Sequence, residues 1–144
     1  MEVILKEYAV YKEAEILGLY TSVGWTNYTD NPEMLRNAYL NSLKIYGAYV
    51  DDKLIGIIRV VGDGYSVIFI QDLLVHPEFQ RKGVGTLLLK KVLCEYDSVY
   101  QKHLITEDTE KTTLFYKSLG FVDNSEIGCK AFSVYKVMLS LIHI

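Results

Sequence analysis

Between Tyr46 and Val75 the chain reads "YGAYV", "DD", "KLIGIIRVV", "GDG", "YSVIFIQDLLV". These are three runs rich in β-branched and aromatic residues, separated by two and three residues that tolerate left-handed backbone. Strands joined by such short loops must lie antiparallel, because a parallel neighbour needs a crossover of a dozen residues or more. A three-stranded antiparallel meander therefore occupies the middle of the chain, and everything else must pack around it.

Ahead of the meander, a short extended start at Val3 to Leu5 leads into "YKEAEILGLY", which places Ala14, Leu17 and Tyr20 on one helical face. The loop "TSVGWTNYTD" comes next. A second helix is expected at "DNPEML", with Asn31 as cap, Pro32 in the first helical position and Leu35, Ala38, Tyr39 and Leu43 facing inward. After the meander come a helix from about Val84 to Tyr96, a strand at "HLIT", a helix at "KTTLFYKSL" and a final strand region after Gly120. The sum is an α+β fold. No repeat or Pro/Gly/Ser linker interrupts it, so residues 1–144 are expected to form one domain.

Half of the 144 residues are hydrophobic, enough for a single core. Fifteen Lys and Arg against eighteen Asp and Glu leave a net charge of -3, which excludes the global basic field of a nucleic-acid binder. Cys94 and Cys129 lack metal-type spacing and are expected to be reduced thiols; no metal is expected. No apolar run approaches the roughly 20 residues of a membrane span, and the start lacks a basic segment followed by an apolar one. The expectation is a cytoplasmic protein without membrane or nucleic-acid partners.

Where the third strand of the meander hands over to the next helix, the chain reads Gln80-Arg81-Lys82-Gly83-Val84-Gly85. Glycines here let backbone N–H groups converge on an anion without Cβ obstruction, and the helix adds its positive dipole end. Arg81 and Lys82 supply charge that a diphosphate favours. The nucleotide P-loop requires Gly-Lys-Ser/Thr, whereas Gly85 is followed by Thr86 and Leu87. The dinucleotide fingerprint requires a third glycine where Leu88 stands, and its strand should open a βαβ unit rather than close a meander.

The remaining pattern, Q-x-x-G-x-G after a long strand, resembles the GNAT superfamily, the GCN5-related N-acetyltransferases, and suggests a small single-domain bacterial-type member. "DLLVHPEFQ" looks like that family's fourth strand and exit turn, and "LFYKSLGF" is similar to its "FYxxxGF" element. The resemblance extends over roughly Leu5 to Phe132. It implies a mixed, mostly antiparallel sheet with a splayed strand pair, flanked by helices, and acetyl-CoA as co-substrate.

By the same resemblance, Gln80, Arg81, Lys82, Gly83, Val84, Gly85 and Thr86 bind the diphosphate. Leu73, Leu74 and Val75, on a bulged and splayed strand, line the pantetheine arm, where a freed N–H could serve the thioester oxygen. Tyr116 would protonate the departing coenzyme A sulfur, the alternative being a side chain on the rim of its helix. Asp72, embedded in "FIQDLLV", is the candidate base for the attacking amine if apolar neighbours raise its pKa. The equal alternative is a buried Asp that holds structure, with Gln71 orienting a water. Trp25 and Tyr28, with Tyr20 beside them, are candidates for the acceptor site, or else anchors for their loop. Asp30 and Glu33 could hold an ammonium or simply open a helix. His76 reads as a strand-ending turn, and His103 and His143 have no partner motif.

The family often has Asn at the start of the helix bearing its tyrosine; here Asp108 or Thr109 stands as cap. The end, "YKVMLSLIHI", is apolar enough to extend a strand, cover a homodimer interface or form an extension. The expected activity is acetyl transfer from acetyl-CoA to a small-molecule primary amine by direct attack. A non-catalytic acyl-CoA-binding module and a protein or peptide N-acetyltransferase are the alternatives.

Overall fold

In the computed structural model, residues 1–136 are described. The chain forms two compact units, Met1–Ile105 and Thr106–Ile144. The first holds a five-stranded sheet in sequential order: β1 (Ile4–Glu7), β2 (Lys44–Val50), β3 (Lys53–Gly62), β4 (Val67–Val75) and β5 (Gln101–Leu104). β1 to β4 run antiparallel, and β5 joins β4 in parallel. The helices are α1 (Glu13–Ser22), the single-turn α2 (Thr26–Thr29), α3 (Pro32–Leu40) and α4 (Val84–Glu95).

The turns behave as their residues require. Asp51 and Asp52 both have positive φ, 48° and 62°, the pairing that a two-residue loop needs to match strand twist. Between β3 and β4, Asp63 Oδ1 accepts the N–H groups of Tyr65, Ser66 and Val67 at 2.8, 2.8 and 3.2 Å. Gly62, at φ 130°, lies so close to β4 that a Cβ would stand 2.5 Å from the Val67 carbonyl oxygen.

The two faces of the sheet are covered differently. α1 and α3 close one face over Ile57 and Leu74 with Ile16, Leu19, Tyr20, Leu35 and Tyr39. α4 closes the other with Val84, Leu88, Leu89 and Val92, an i, i+4, i+5, i+8 stripe. Each of those side chains gains about 1.5–3 kcal/mol from leaving water. Gly56 of β3 lets α4 seat closely, since a Cβ there would meet Leu88 and Val84 at 3.2 and 3.3 Å.

Three local expectations change. α1 buries Ile16, Leu19 and Tyr20, while Ala14 is exposed and Leu17 half-buried, because the helix runs two residues later than its periodicity suggested. α3 buries Leu35 and Tyr39, but Ala38 is only half-buried and Leu43 lies beyond its end. Asn31 stands at its N-cap without a side-chain cap; its Nδ2 donates instead to the Asn27 carbonyl at 2.8 Å, drawn there by the turn of α2.

The second unit contains α5 (Glu110–Ser118), capped by Thr109, whose Oγ1 accepts the Thr112 N–H at 3.1 Å. Gly120, at φ 94°, stands after it in the left-handed conformation that ends a helix. The expected strand after Gly120 does not form within residues 121–136; Asn124–Ile127 is a short 3-10 turn closed by Asp123 and Gly128. Residues 137–144, including His143 and most of the apolar end, lie outside the described residues. Among the described residues, no helix is long and apolar enough to cross a membrane.

Replacing Gly62 by Ala should destabilise the chain by about 1–3 kcal/mol from backbone strain, with the clash against Val67 adding to it. Gly18→Ala, in α1 with nothing within 4 Å of the added carbon, should stabilise by about 0.5–1 kcal/mol. Denaturant unfolding of both variants checks this, and equal midpoints would contradict the close approach of β3 to β4.

Candidate functional site

The strand–helix junction is built from a 3-10 turn followed by two left-handed residues. After β4, His76 caps the 3-10 turn Pro77–Phe79, its Nδ1 accepting the Glu78 N–H at 3.1 Å. Arg81 then takes φ 62° and Gly83 φ 79°. Left-handed residues turn neighbouring N–H groups toward one point, and a non-glycine residue held there costs about 1–3 kcal/mol. The first amides of α4 have no partner within the helix, and Gly83 supplies no side-chain cap. A Cβ on Gly83 would meet nothing within 4 Å. Gln80 uses its side chain internally, Nε2 donating to the Val75 carbonyl at 2.9 Å and bracing the loop against the strand end. Lys82 Nζ lies 5.8 Å from the Phe79 ring centroid.

β4 changes character at its middle. Arg59 pairs with Asp72 and Val60 with Ile70, which leaves Gln71 as an extra residue, a β-bulge. The pairing of β4 with β5 ends one residue earlier, at Ile70 and Leu104. From Gln71 to Val75, β4 thus pairs with β3 alone among the described residues. Leu74 is buried, and Leu73 and Val75 are half-buried.

The bulge also turns Asp72 to the α1–α3 face, because cross-strand partners share a face and Arg59 and Val60 point to opposite ones. There Asp72 is 2% exposed, and Arg59 Nε donates to its Oδ2 at 2.7 Å. The Tyr20 hydroxyl donates to the same oxygen at 2.8 Å and pairs with the Tyr39 hydroxyl at 2.8 Å. Arg59 Nη1 reaches Ser42 Oγ at 3.3 Å. Burial pulls the Arg59 pKa down, but the Asp72 charge and hydrogen bond outweigh it and leave the guanidinium raised. The apolar surrounding expected for Asp72 is therefore replaced by a cation and a phenol. Arg59 was absent from the candidates; two lone opposite charges in adjacent apolar strands were the signal for it.

The same junction gathers the aromatic candidates. The Tyr20 ring centroid lies 5.8 Å from Trp25 and 5.3 Å from Tyr28, and the Tyr28 hydroxyl accepts from Gln71 Nε2 at 3.3 Å. Burial, and then the Asp72 charge, push the Tyr28 hydroxyl up. Trp25, Tyr28, Gln71 and Asp72 are thus neighbours. In the second unit, Tyr116 stacks edge-on with Phe115 and Phe121, and burial raises its pKa while Thr106 pulls the other way. It is a neutral phenol at ordinary pH. Asp30 and Glu33 stay exposed at the helix starts.

The chain is similar in sequence and fold to known proteins. The model of the acetyltransferase (GNAT) domain matches residues 41–123. A GNAT-family acetyltransferase of Streptococcus pneumoniae TIGR4 is 41% identical, the match covering 94% of this chain and 98% of that one at a TM-score of 0.85. The PaiA N-acetyltransferase of Thermoplasma acidophilum, solved in complex with coenzyme A, shares the fold at 17% identity and a TM-score of 0.65, over 85% of this chain and 91% of its own. An uncharacterized N-acetyltransferase, ycf52, of Gracilaria tenuistipitata var. liui is 28% identical over 118 residues, which are 75% of this chain. The chain spans about 60% of the length of that relative. A mixed five-stranded sheet flanked by helices is the fold this chain shares with these acetyltransferases. The chain belongs to the GNAT family.

Asp72→Asn should cost about 3–5 kcal/mol of stability, because it strands a buried guanidinium. Denaturant unfolding measures it, and a loss under about 1 kcal/mol would mean that the pair is hydrated in solution. A second outcome concerns alkali. Burial raises the pKa of Tyr8, Tyr20 and Tyr39 above the ordinary value of about 10. Their folded-state pKa exceeds the unfolded one, so their contribution is intact below about pH 10 and falls as pH rises further. Unfolding midpoints should hold from pH 7 to 9 and drop above 10, with tyrosinate absorbance from these residues arriving only with unfolding.

Proposed function

We propose that the chain moves an acetyl group from acetyl-CoA to the primary amine of a small molecule, by direct attack with both substrates bound. The observation that supports this most is the entry to α4. Left-handed Arg81 and Gly83 and first-turn amides without a partner inside the helix suit a diphosphate. In this reading the backbone from Gln80 to Thr86 holds that group, with Arg81 and Lys82 adding positive charge, while the side chain of Gln80 keeps the loop in shape. The edge of Leu73, Leu74 and Val75 left without β5 holds the extended pantetheine arm. The coenzyme A of the Thermoplasma structure belongs to that protein; the shared fold supports the same ligand class here.

When bound, acetyl-CoA supplies a thioester. The amine, held against Trp25 and Tyr28, forms the new C–N bond as the C–S bond breaks. Its surplus proton passes to a water oriented by Gln71 and Tyr28, and Tyr116 returns a proton to the departing sulfur. Of the two roles weighed for Asp72, the surrounding hydrogen bonds favour the positioning one. Paired with Arg59 and Tyr20, it fixes the strand just after the bulge and the helix that carries the aromatic wall. Neither cysteine takes part: Cys94 and Cys129 are exposed free thiols outside the residues assembled above.

Calorimetric titration with acetyl-CoA tests the binding half. Wild type should bind, and Gly83→Glu and Gly85→Glu should not; a folded wild type that fails to bind overturns the proposal. Tyr116→Phe should lower kcat by about a hundredfold with acetyl-CoA affinity unchanged, read as free-thiol release. An undiminished rate removes Tyr116 from the reaction. Tight coenzyme binding with no thiol release across a broad amine panel would favour the binding module, and turnover confined to peptides would favour a peptide acceptor.

A further inference from the structure

Arg59 and Asp72 are 5% and 2% exposed on adjacent strands, with Arg59 Nε donating to Asp72 Oδ2 at 2.7 Å. Taking two charges out of water offsets most of their attraction, and an apolar pair of similar volume is often as stable or more so. Stability therefore does not account for the pair. Its place in the sheet does: Asp72 directly follows the surplus residue Gln71, and Arg59 is the β3 residue at which the pairing shifts.

Beyond Ile70, β4 has two ways to pair with β3. In the observed register Asp72 faces Arg59, Leu73 faces Ile58 and Leu74 faces Ile57. A straight ladder would instead set Gln71 opposite Arg59, Asp72 opposite Ile58 and Leu73 opposite Ile57. A leucine covers Ile57 either way, so apolar burial against α1 and α3 does not choose between them. The straight ladder also avoids the disruption that a bulge brings. The charges decide. Ile58 shares its face with Gly56, which lies against Val84 and Leu88, so the straight register would bury Asp72 under α4 and leave Arg59 against an amide. The bulged register satisfies both, with Tyr20 and Ser42 adding hydrogen bonds at 2.8 and 3.3 Å.

Register fixes what β4 offers along the edge that β5 leaves open. A slip of one residue displaces the strand by about 3.3 Å and turns each side chain to the other face. It also exchanges the N–H and C=O groups that point at β3 with those that point away, because the two sets alternate along an antiparallel strand. Leu73, Leu74 and Val75 would then present the other set of backbone groups to an extended arm. The glycine loop follows the strand, since the His76 N–H donates to the Ile55 carbonyl at 2.8 Å and Gln80 Nε2 to the Val75 carbonyl at 2.9 Å.

We infer that Arg59 and Asp72 are positioning residues for acetyl-CoA: their pairing selects the bulged register, which sets the β4 edge and the loop after it in the frame the coenzyme needs. This role rests on acetyl-CoA binding as proposed above. Neither side chain contacts the coenzyme; both act through the backbone of residues 71–76.

The test replaces the pair by apolar residues, Arg59→Met with Asp72→Leu, in the full-length chain. The double variant should unfold at a urea midpoint no lower than wild type, yet bind acetyl-CoA about tenfold more weakly by calorimetry, as expected if the bulged register falls to about a tenth of the molecules. Nuclear Overhauser contacts between strands read the register without ligand. Wild type should join Ile57 to Leu74, and the double variant should join Ile57 to Leu73. Binding as tight as wild type, weaker binding without the Leu73 contacts, or a lowered midpoint would each overturn the inference. Should that variant not fold, Arg59→Gln with Asp72→Asn, which keeps the shapes and removes both charges, is judged by the same binding and contacts; failure of both to fold overturns it too. Wild type that does not bind acetyl-CoA removes the coenzyme reading instead, and the strand contacts still decide whether the pair sets the register.

Discussion

Gln71 gives β4 one residue more than β3 between two paired positions, and the course of the strand beyond it depends on that surplus. Without it, Asp72 would point with Ile70 toward α4. With it, Asp72 turns to the face covered by α1 and α3, where Arg59 and Tyr20 satisfy it. The β5 pairing stops at the residue before it, so the bulged stretch of β4 holds the charge pair and has no β5 partner among the described residues. The bulge residue then presents its own side chain to Tyr28. Structure and site share one cause.

The buried pair is weak support for stability by itself, because desolvating two charges offsets most of their attraction. Its stronger effect is on arrangement. An Asp on one strand and an Arg on the next, with a phenol from α1 closing the set, admit one register and one seating of that helix. Shifting β4 by one residue would bury a charge with no partner. The aromatic group of Tyr20, Tyr28 and Trp25 is thereby held at the bulge, and Tyr39 extends it with edge-on contacts to Tyr20 and Tyr8.

Much of this was legible in the chain. The meander, its turns, the helix from Val84 and the glycine junction arise from patterns with strong local causes: alternation, left-handed turn residues and a single apolar stripe. α2 was not legible, since four residues are too few to show a period. The bulge was hidden for a subtler reason. Ile68, Ile70, Asp72 and Leu74 are all buried, so alternation runs unbroken through Gln71 although the strand has changed face. Both faces of this sheet are covered, and burial alone cannot report the switch. Arg59 escaped notice because one polar residue in a strand is ordinary until the partner strand shows its opposite. The apolar content after Gly120 suggested a strand, yet residues 121–136 take a turn whose Asp123 and Gly128 satisfy it locally.

The spacing of the charge pair also orders events as the chain folds. Arg59 and Asp72 are 13 residues apart across one hairpin, whereas Tyr20 and Asp72 are separated by 52. Closing the shorter loop is entropically cheaper, so β3 and β4 can pair while both charges still face water. Water leaves them only when α1 arrives. The hairpin brings the two charges together, and the helix nearest the start of the chain supplies the hydrogen bond from Tyr20 that completes their set.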